Sequence, residues 1–467
     1  MNDPRGFARP LSRPADVTYA LIDRVLGTRA PWATRGDGDS VVIGWIISRA
    51  VMIMLFWFFE YEVMNDVNYY FTNLHTASTL GVGYALPEYP LPVAALLALP
   101  YALSFGNIVA YRIGFVVMML LVDALFTRQL YVHQGRRNTA PVTLWLAAAP
   151  LLGPLMITRF DLIPGVLVAA SLLWLQSKPH RSGAAIALGT GIKLWPILVL
   201  PAIAAPLHSR LRVIIGSLVT AAVLITASLA IGGWDRFISP LRYQTDRGLQ
   251  IEAPISWPLM AAWAIHKAPW IVFFSEKSHS VEVSGPGASF LLALSTLLTL
   301  LALITIAAFS LRAWRAQSSI PPSAIALIAF TSIGMIILTN KVFSPQYIQW
   351  LAPIAVAALA LTPRDMSMRE ADDDPAIEHD DLALRRAVTS LLIVGLLTHM
   401  IYPRLYDWVS QSQPTNPLGV VLLLIRDLGL AYVVYYFGRR AWQASARRPH
   451  ESDTGRVEQH DTSPAVD

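Results

Sequence analysis

One carboxylate in a polar setting is the first group in this chain that could perform acid–base chemistry. Asp66 follows the first long apolar segment and stands among Asn65, Asn68, Tyr69 and Tyr70. Amide and phenol side chains of this kind hydrogen-bond to sugar hydroxyls. Asp66 adds a carboxylate to this set of polar side chains. The pattern therefore indicates a hydroxyl-bearing substrate near Asp66.

Four more candidate residues lie in turns. Glu88 and Tyr89 belong to an aromatic and proline-rich turn that should fold its loop back toward the membrane. Arg159 and Asp161 lie between two apolar segments that almost touch in the sequence. We expect all four to contact substrate. For Arg159 and Asp161 the alternative is an ion pair that tightens a helical hairpin, and Asp161 also suits a helix N-cap.

Three cations are candidates for binding a phosphate. Lys193 lies inside an apolar run, where a charged residue costs about 2.5–3.5 kcal/mol on insertion scales, so it should face a polar cavity or an anion unless it snorkels. The planar fork of Arg247 suits phosphate, with a solvated loop as the alternative. Lys341 lies in another polar segment. The segment that follows Arg247 also contains the candidates Gln250 and Glu252. The segment that follows Lys341 contains the candidates Ser344, Gln346 and Trp350.

The composition assigns these clusters to a membrane protein. The 467 residues are 54% hydrophobic and 14% charged, whereas soluble domains carry about 25% charged residues. The absence of cysteine excludes thiolate chemistry, cysteine-type zinc sites and iron–sulfur clusters. A net charge of +5 is interpreted as membrane topology rather than as affinity for nucleic acid.

Arg426 and Asp427 are adjacent on an apolar helix and point about 100° apart, which predicts that they do not pair with each other.

Apolar runs of about 20 residues predict an all-α polytopic membrane protein with about 10–12 transmembrane helices. If every basic loop is cytoplasmic, the short run 92–105 does not cross, and the run 184–204 enters and returns as a broken hairpin. Both ends of the chain are then cytoplasmic. The polar clusters lie on the extracytoplasmic face of a plasma (inner) membrane. The predicted divisions are a basic leader (1–40), a transmembrane module (41–362) with long outer loops (60–106 and 233–288), a charged loop (363–386), C-terminal spans (387–438) and a disordered cytoplasmic tail (439–467).

The order of the polar motifs resembles a known family. After Asp66 come Glu88-Tyr89-Pro, Arg159-Phe-Asp-Leu-Ile-Pro, Lys193-Leu-Trp-Pro, Arg247-Gly-Leu-Gln-Ile-Glu, and the most specific piece, Asn340-Lys-Val-Phe-Ser-Pro-Gln-Tyr-Ile-Gln-Trp. This series is similar to that of the GT-C membrane glycosyltransferases, and most of all to glycosyltransferase family eighty-seven, the actinobacterial polyprenyl-phosphate-mannose-dependent mannosyltransferases that include those making phosphatidylinositol mannosides. The resemblance runs from about residue 41 to about residue 362, and it implies the GT-C fold with a long first outer loop.

The resemblance also implies roles. Asp66 would be the catalytic base. Lys341, Arg247, Lys193 and Gln346 would lie near the donor phosphate. Tyr69, Glu88, Tyr89, Arg159, Asp161, Gln250, Glu252, Ser344 and Trp350 would bind substrate. Phosphate already is a competent leaving group and needs charge neutralisation rather than a general acid. One direct displacement would invert the anomeric centre. No cluster of acidic residues and histidines has metal-ligand spacing, so neither a metal nor another cofactor is expected.

The expected partners are a polyprenyl-phosphate sugar, a glycolipid or lipoglycan acceptor and the lipid bilayer, without nucleic acid. The sequence has no Walker loop or Rossmann fingerprint, which argues against ATP or a nucleotide sugar as substrate. Three alternatives remain: an arabinofuranosyltransferase that uses polyprenyl-phospho-arabinose, a lipid-linked-sugar flippase or secondary transporter, and an inactive scaffold. A transporter would predict inverted repeats and charges near the bilayer midplane.

Overall fold

The computed structural model describes residues 38–134, 140–245, 247–266, 268–276, 278–316, 320–362, 375–411 and 416–445. Residues 1–37 of the predicted leader, residues 363–374 of the predicted charged loop and residues 446–467 of the predicted tail lie outside the described residues. The described part is helical apart from one short β-hairpin and the connecting turns.

Within the described residues, the first half of the chain forms ten helices, two of them only four residues long. Their bounds are α1 Gly38–Phe59, α2 Asn65–Leu80, α3 Leu91–Leu103, α4 Ile108–Gln134, α5 Ala140–Leu152, α6 Leu155–Thr158, α7 Leu162–Trp174, α8 Pro179–Ile192, α9 Leu200–Ile203 and α10 Leu207–Thr245. Short 3-10 turns at Tyr61–Met64, Val82–Tyr84 and Trp195–Val199 join some of them. The predicted outer loop 60–106 is therefore largely helical, because α2 and α3 lie within it.

The second half adds a hairpin and seven helices. Their bounds are α11 Trp257–His266, β1 Ile271–Ser275, β2 Ser280–Ser284, α12 Ala288–Ala316, α13 Pro322–Thr339, α14 Ile348–Leu361, α15 Pro375–His399, α16 Asp407–Ser410 and α17 Pro417–Ala444. The strands are antiparallel, with Phe273 opposite Glu282. A π-helical turn, Met400–Arg404, continues α15. Helix α15 begins inside the segment predicted to be a charged loop.

Within the described ranges, seven helices are long and apolar enough to cross a membrane: α1, α4, α10, α12, α13, α15 and α17. Three other predicted spans form shorter helices, α5, α7 and α14, of 13 to 14 residues. Most of their residues are buried. These helices pack inside the protein rather than against lipid, so their apolar character reflects the protein core as well as the membrane.

The run 184–204 has the predicted break. Helix α8 ends at Ile192, Lys193 has an extended backbone, and the chain continues as a 3-10 turn. Helices α8 and α10 run in the same direction, because Gly183 lies against Val213 while Gly191, farther along α8, lies against Leu224. Two parallel helices need a returning segment between them, and residues 195–204 provide it.

A buried ion pair connects the long helices α1 and α4. The Arg49 guanidinium of α1 contacts the Asp123 carboxylate of α4 through two hydrogen bonds of 2.5 and 2.7 Å. Trp45 and Trp145 donate their indole N–H groups to the same carboxylate. Removal of one partner from such a buried pair costs about 3–5 kcal/mol. These two charges therefore have a structural role.

Helix α10 bends at Gly233, whose φ of 68° lies in the left-handed region that glycine adopts without strain. Beyond the bend, Arg236 donates hydrogen bonds to the backbone oxygens of Ala85 and Leu86, at 2.7 and 3.0 Å. The end of α10 thus fixes the turn that contains Glu88. The predicted outer loop 233–288 begins as a continuation of this helix rather than as a loop.

Candidate active site

A cavity of about 480 Å³ lies where the polar turns meet. Eight parts of the chain line it: the start of α2, the turn before α3, the turn before α7, the residue after α8, the stretch from the end of α10 to residue 252, the β-hairpin, the turn before α14 and the segment after α15. Its volume falls within the range of about 300–1,000 Å³ that is usual for small-molecule sites.

Asp66 lies in the first turn of α2 and faces this cavity. Its carboxylate is 2.7 Å from Nε of Arg159, and 40% of the Asp66 side chain is accessible, whereas Arg159 is 5% accessible. Arg159 also donates to the backbone oxygen of Val63, at 3.1 Å. Arg159 therefore holds both the carboxylate and the backbone turn that leads to it.

Two opposing influences set the acidity of Asp66. Burial raises the pKa of its carboxyl, and this is the larger influence, while the positive charge of Arg159 lowers it. Asp161 raises this pKa further, and Lys193 and His279 lower it. A raised pKa makes the deprotonated carboxylate a stronger base.

Lys193 reaches the cavity from the break after α8. Its Nζ is 3.2 Å from Oδ1 of Asp161, a carboxylate that is itself buried. The ammonium group also lies 4.8 Å from the ring centre of Tyr89 and 5.8 Å from that of Trp350. Trp350 donates its indole N–H to the same Asp161 oxygen, at 2.9 Å. Asp161 and Trp350 thus hold the lysine at the cavity wall and do not line the cavity themselves.

Arg247 lines the cavity without a carboxylate partner among the described residues. Its Nη2 donates to the backbone oxygen of Ser278, at 3.4 Å, and its buried Nε has no hydrogen-bond partner. Lys341 is not in the cavity lining; its Nζ donates to the backbone oxygen of Arg247, at 2.6 Å. The structure thus places the Lys341 ammonium behind Arg247.

Glu252 is the most deeply buried carboxylate of the cavity wall. Arg426 of α17 donates to Oε2 and to the backbone oxygen of Glu252, both at 2.7 Å, whereas Oε1 has no partner. Burial raises the pKa of Glu252 to about 7 against the lowering effect of Arg426.

The prediction that Arg426 and Asp427 do not pair is wrong. Their side chains bend toward each other and bring Nη2 within 2.8 Å of Oδ1.

Glu88 and Tyr69 both face the cavity. Burial raises the pKa of the Tyr69 phenol, and the Glu88 carboxylate raises it further. Burial also raises the pKa of Glu88, whose Oε1 is buried without a partner. An acceptor oxygen left open in this way is suited to bind a ligand hydroxyl.

Most of the predicted site residues come together here. The cavity is lined by Asp66, Tyr69, Glu88, Tyr89, Arg159, Lys193, Arg247, Gln250, Glu252, Ser344 and Gln346. Lys341, Asp161 and Trp350 lie behind this lining and support it.

Sequence reasoning missed other lining residues, above all Tyr243, Phe274, His279, Tyr402 and Tyr406. His279 stands at the tip of the hairpin with a φ of 46°, and its ring centre is 5.5 Å from that of Tyr69. No local pattern in the sequence marks His279. Tyr402 and Tyr406 lie within the predicted C-terminal spans (387–438), outside the predicted transmembrane module (41–362).

Among the residues that the structure describes, no group of three or more histidine or acidic side chains could hold a metal ion. Arg159, Lys193 and Arg247 are the cationic Lys and Arg side chains of the described cavity lining. They are positioned to neutralise an anionic ligand directly.

Comparison with known proteins gives one match. The model of glycosyltransferase family 87 matches residues 88–345, more than half of the chain. No curated protein and no solved structure matches. The matched range ends just before Gln346 of the cavity lining, and it leaves out Asp66, Tyr402 and Tyr406.

Proposed function

Because the chain belongs to glycosyltransferase family 87, we propose that it transfers a mannosyl residue from polyprenyl-phosphate-mannose to a glycolipid or lipoglycan acceptor. The reaction takes place on the extracytoplasmic side of a plasma membrane of the actinobacterial type. The family match and the seven long apolar helices support a membrane glycosyltransferase. The donor, the acceptor and the side of the membrane are part of the proposal.

The charge pairing in the cavity is the observation that carries this proposal. Asp66 is paired with Arg159, Lys193 with Asp161, and Glu252 with Arg426. Among the described lining residues, this leaves Arg247 and Glu88 as the charged groups without an ion-pair partner. One uncompensated cation suits a phosphate, and one open carboxylate suits a hydroxyl. A phosphorylated sugar combines these two groups.

The transfer then proceeds as a single displacement. Asp66 accepts the proton of the acceptor hydroxyl, whose oxygen forms the new bond to the anomeric carbon. The bond from that carbon to the phosphate oxygen breaks, and the electron pair leaves with the polyprenyl phosphate. Arg247 neutralises the charge that develops on this phosphate. Attack from the opposite face inverts the anomeric centre, so a β-linked donor gives an α-linked product.

Replacement of Asp66 by asparagine tests the base. Asp66→Asn keeps the shape of the side chain and its contact with Arg159 but removes the proton acceptor, so transfer should fall by about 10²–10⁴-fold. The measurement is transfer of radiolabelled mannose by purified protein, with thermal unfolding as the check on folding. A folded Asp66→Asn protein with normal transfer would exclude this role. A parallel assay with polyprenyl-phospho-arabinose tests the alternative pentose donor.

A pair of variants tests the phosphate site. Arg247→Gln removes the uncompensated cation and should weaken donor binding by at least about tenfold, since a hydrogen bond to a charged group contributes about 1.5–3 kcal/mol. Lys341→Ala should have a smaller effect, because Lys341 lies outside the cavity lining and donates to the backbone oxygen of Arg247. The measurement is the donor affinity of each variant. Equal donor affinity in wild type and Arg247→Gln would remove Arg247 from the site.

A further inference from the structure

The C-terminal helices reach the cavity although they lie beyond the matched family range. The chain turns out of α15 through the π-helical turn, in which Tyr402 leaves helical geometry with φ −119° and ψ 121°. Tyr402 and Tyr406 both line the cavity. Their rings pack edge to face with centres 5.1 Å apart. The two residues form one aromatic surface on the cavity wall.

Two unpartnered oxygen atoms belong to the same part of the wall. Oε1 of Glu252 and Oε1 of Gln250 are buried and have no hydrogen-bond partner. Tyr406 and Glu252 line the same cavity, and burial raises the pKa of the Tyr406 phenol, with a further raising effect from the Glu252 carboxylate. Arg426 of α17 holds Glu252 in place through its other oxygen and its backbone. The C-terminal helices thus provide the aromatic surface and also orient one of the two acceptors.

Open acceptors beside aromatic rings are what a sugar ring requires. Its hydroxyls donate hydrogen bonds to carboxylate and amide oxygens, and its C–H faces pack on aromatic rings. Buried acceptors without a partner are costly, so a ligand that supplies hydroxyl donors gains from this wall. Phosphate is a poor occupant, because the amide oxygen of Gln250 and the carboxylate of Glu252 are both acceptors and repel its oxygens.

Gln250 and Glu252 lie three and five residues after Arg247, the proposed phosphate ligand. In a phosphosugar the phosphate and the sugar ring are joined through a single oxygen. A phosphate held by Arg247 therefore brings its own sugar close to these acceptors.

We propose that Gln250, Glu252, Tyr402 and Tyr406 form the subsite for the sugar ring of the donor, with the aromatic half supplied by the C-terminal helices. This inference rests on the proposed function, because it takes the donor to be a lipid-linked phosphosugar. It extends the site beyond the matched family range, and it makes α15–α17 part of the substrate-binding structure.

Comparison of two lipids tests the subsite. Full-length protein in nanodiscs is titrated with polyprenyl phosphate, which lacks a sugar, and with polyprenyl-phosphate-mannose. Wild type should bind the mannosylated lipid more tightly. Gln250→Leu removes one hydrogen-bond acceptor and should reduce affinity for the mannosylated lipid by about three- to tenfold. Tyr406→Leu removes the ring on which the sugar packs and should reduce this affinity by about two- to tenfold. Affinity for polyprenyl phosphate should stay unchanged, which shows that each variant is folded.

The control is Tyr432→Leu, which removes the same kind of ring from a residue of α17 that is 55% exposed and outside the cavity lining. It should change neither affinity. If Gln250→Leu and Tyr406→Leu leave both affinities at the wild-type value, or lower both equally, the subsite is wrong. If wild type binds neither lipid, the proposed function itself fails, and the inference fails with it.

Discussion

At the scale of single residues, the contact between Asp66 and Arg159 affects the pKa of the proposed base. Burial raises the pKa of Asp66, and Arg159 keeps it from rising further. The carboxylate acts as a base only when deprotonated, so transfer should decline as the pH falls through this raised pKa. An ordinary aspartate would lose its function only at lower pH, near its usual pKa of about 3.9.

Removal of the Arg159 charge should move this decline. In Arg159→Gln the lowering influence is lost, so the pKa of Asp66 rises and the acid limb of the kcat profile shifts to higher pH. The measurement is kcat for mannosyl transfer across the pH range. The matched control is Arg112→Gln, because Arg112 bonds to Asn68 and Tyr61 outside the cavity. An unshifted limb in Arg159→Gln would contradict this account of the base.

Much of the site was predictable at this scale, because charged and amide residues in an apolar chain are costly and therefore informative. Asp66, Arg247 and Glu252 could be singled out for that reason. Their partners were less accessible to sequence reasoning. The Arg159–Asp66 and Arg426–Glu252 pairs join residues 93 and 174 positions apart, and no local pattern encodes such distances.

At the scale of elements, close packing between α8 and α10 determines where Lys193 stands. A Cβ on Gly183 would overlap the backbone oxygen of Val213, and a Cβ on Gly216 would overlap that of His180. The two backbones therefore touch at these glycines. Lys193 follows directly after α8, so any displacement of α8 moves the lysine away from Asp161.

Addition of a single methyl group tests this packing. Gly183→Ala should destabilise the protein by about 1–3 kcal/mol, as overpacking typically does, and lower its unfolding temperature in detergent. Gly83→Ala is the control, since a Cβ on Gly83 would meet no heavy atom within 4 Å. Equal unfolding temperatures for Gly183→Ala and wild type would show that α8 and α10 are not packed this closely.

The sequence predicted the spans and the break near Lys193 but not the lengths of all helices. Apolar runs locate helices well because lipid and the protein core both require apolar residues. Because lipid and the protein core favour the same residues, the sequence does not show which apolar helices are buried. It therefore does not reveal that α5, α7 and α14 have only 13 to 14 residues and are mostly buried. The continuation of α10 beyond Gly233 was also missed, because a glycine marks a bend or an end equally well.

At the scale of the whole molecule, the positive-inside rule predicts an orientation in which the cavity faces the outside of the cell. The chain contains no cysteine, so one introduced cysteine gives an unambiguous label. Glu62, close to Asp66, and His208, at the start of α10, are both exposed. In intact cells a membrane-impermeant maleimide should label Glu62→Cys and not His208→Cys, whereas lysed cells should label both. The opposite pattern in intact cells would invert the topology.

The cavity volume of about 480 Å³ also limits how much of the proposed lipid-linked donor can enter the site. A sugar and a phosphate fit within such a volume, but a long isoprenoid chain does not and must stay in the bilayer. Selection among donors then depends on the head group, while the number of isoprene units has little effect beyond the first few. We therefore expect short synthetic isoprenoid phosphosugars to replace the natural donor, which would make the reaction accessible with water-dispersible substrates.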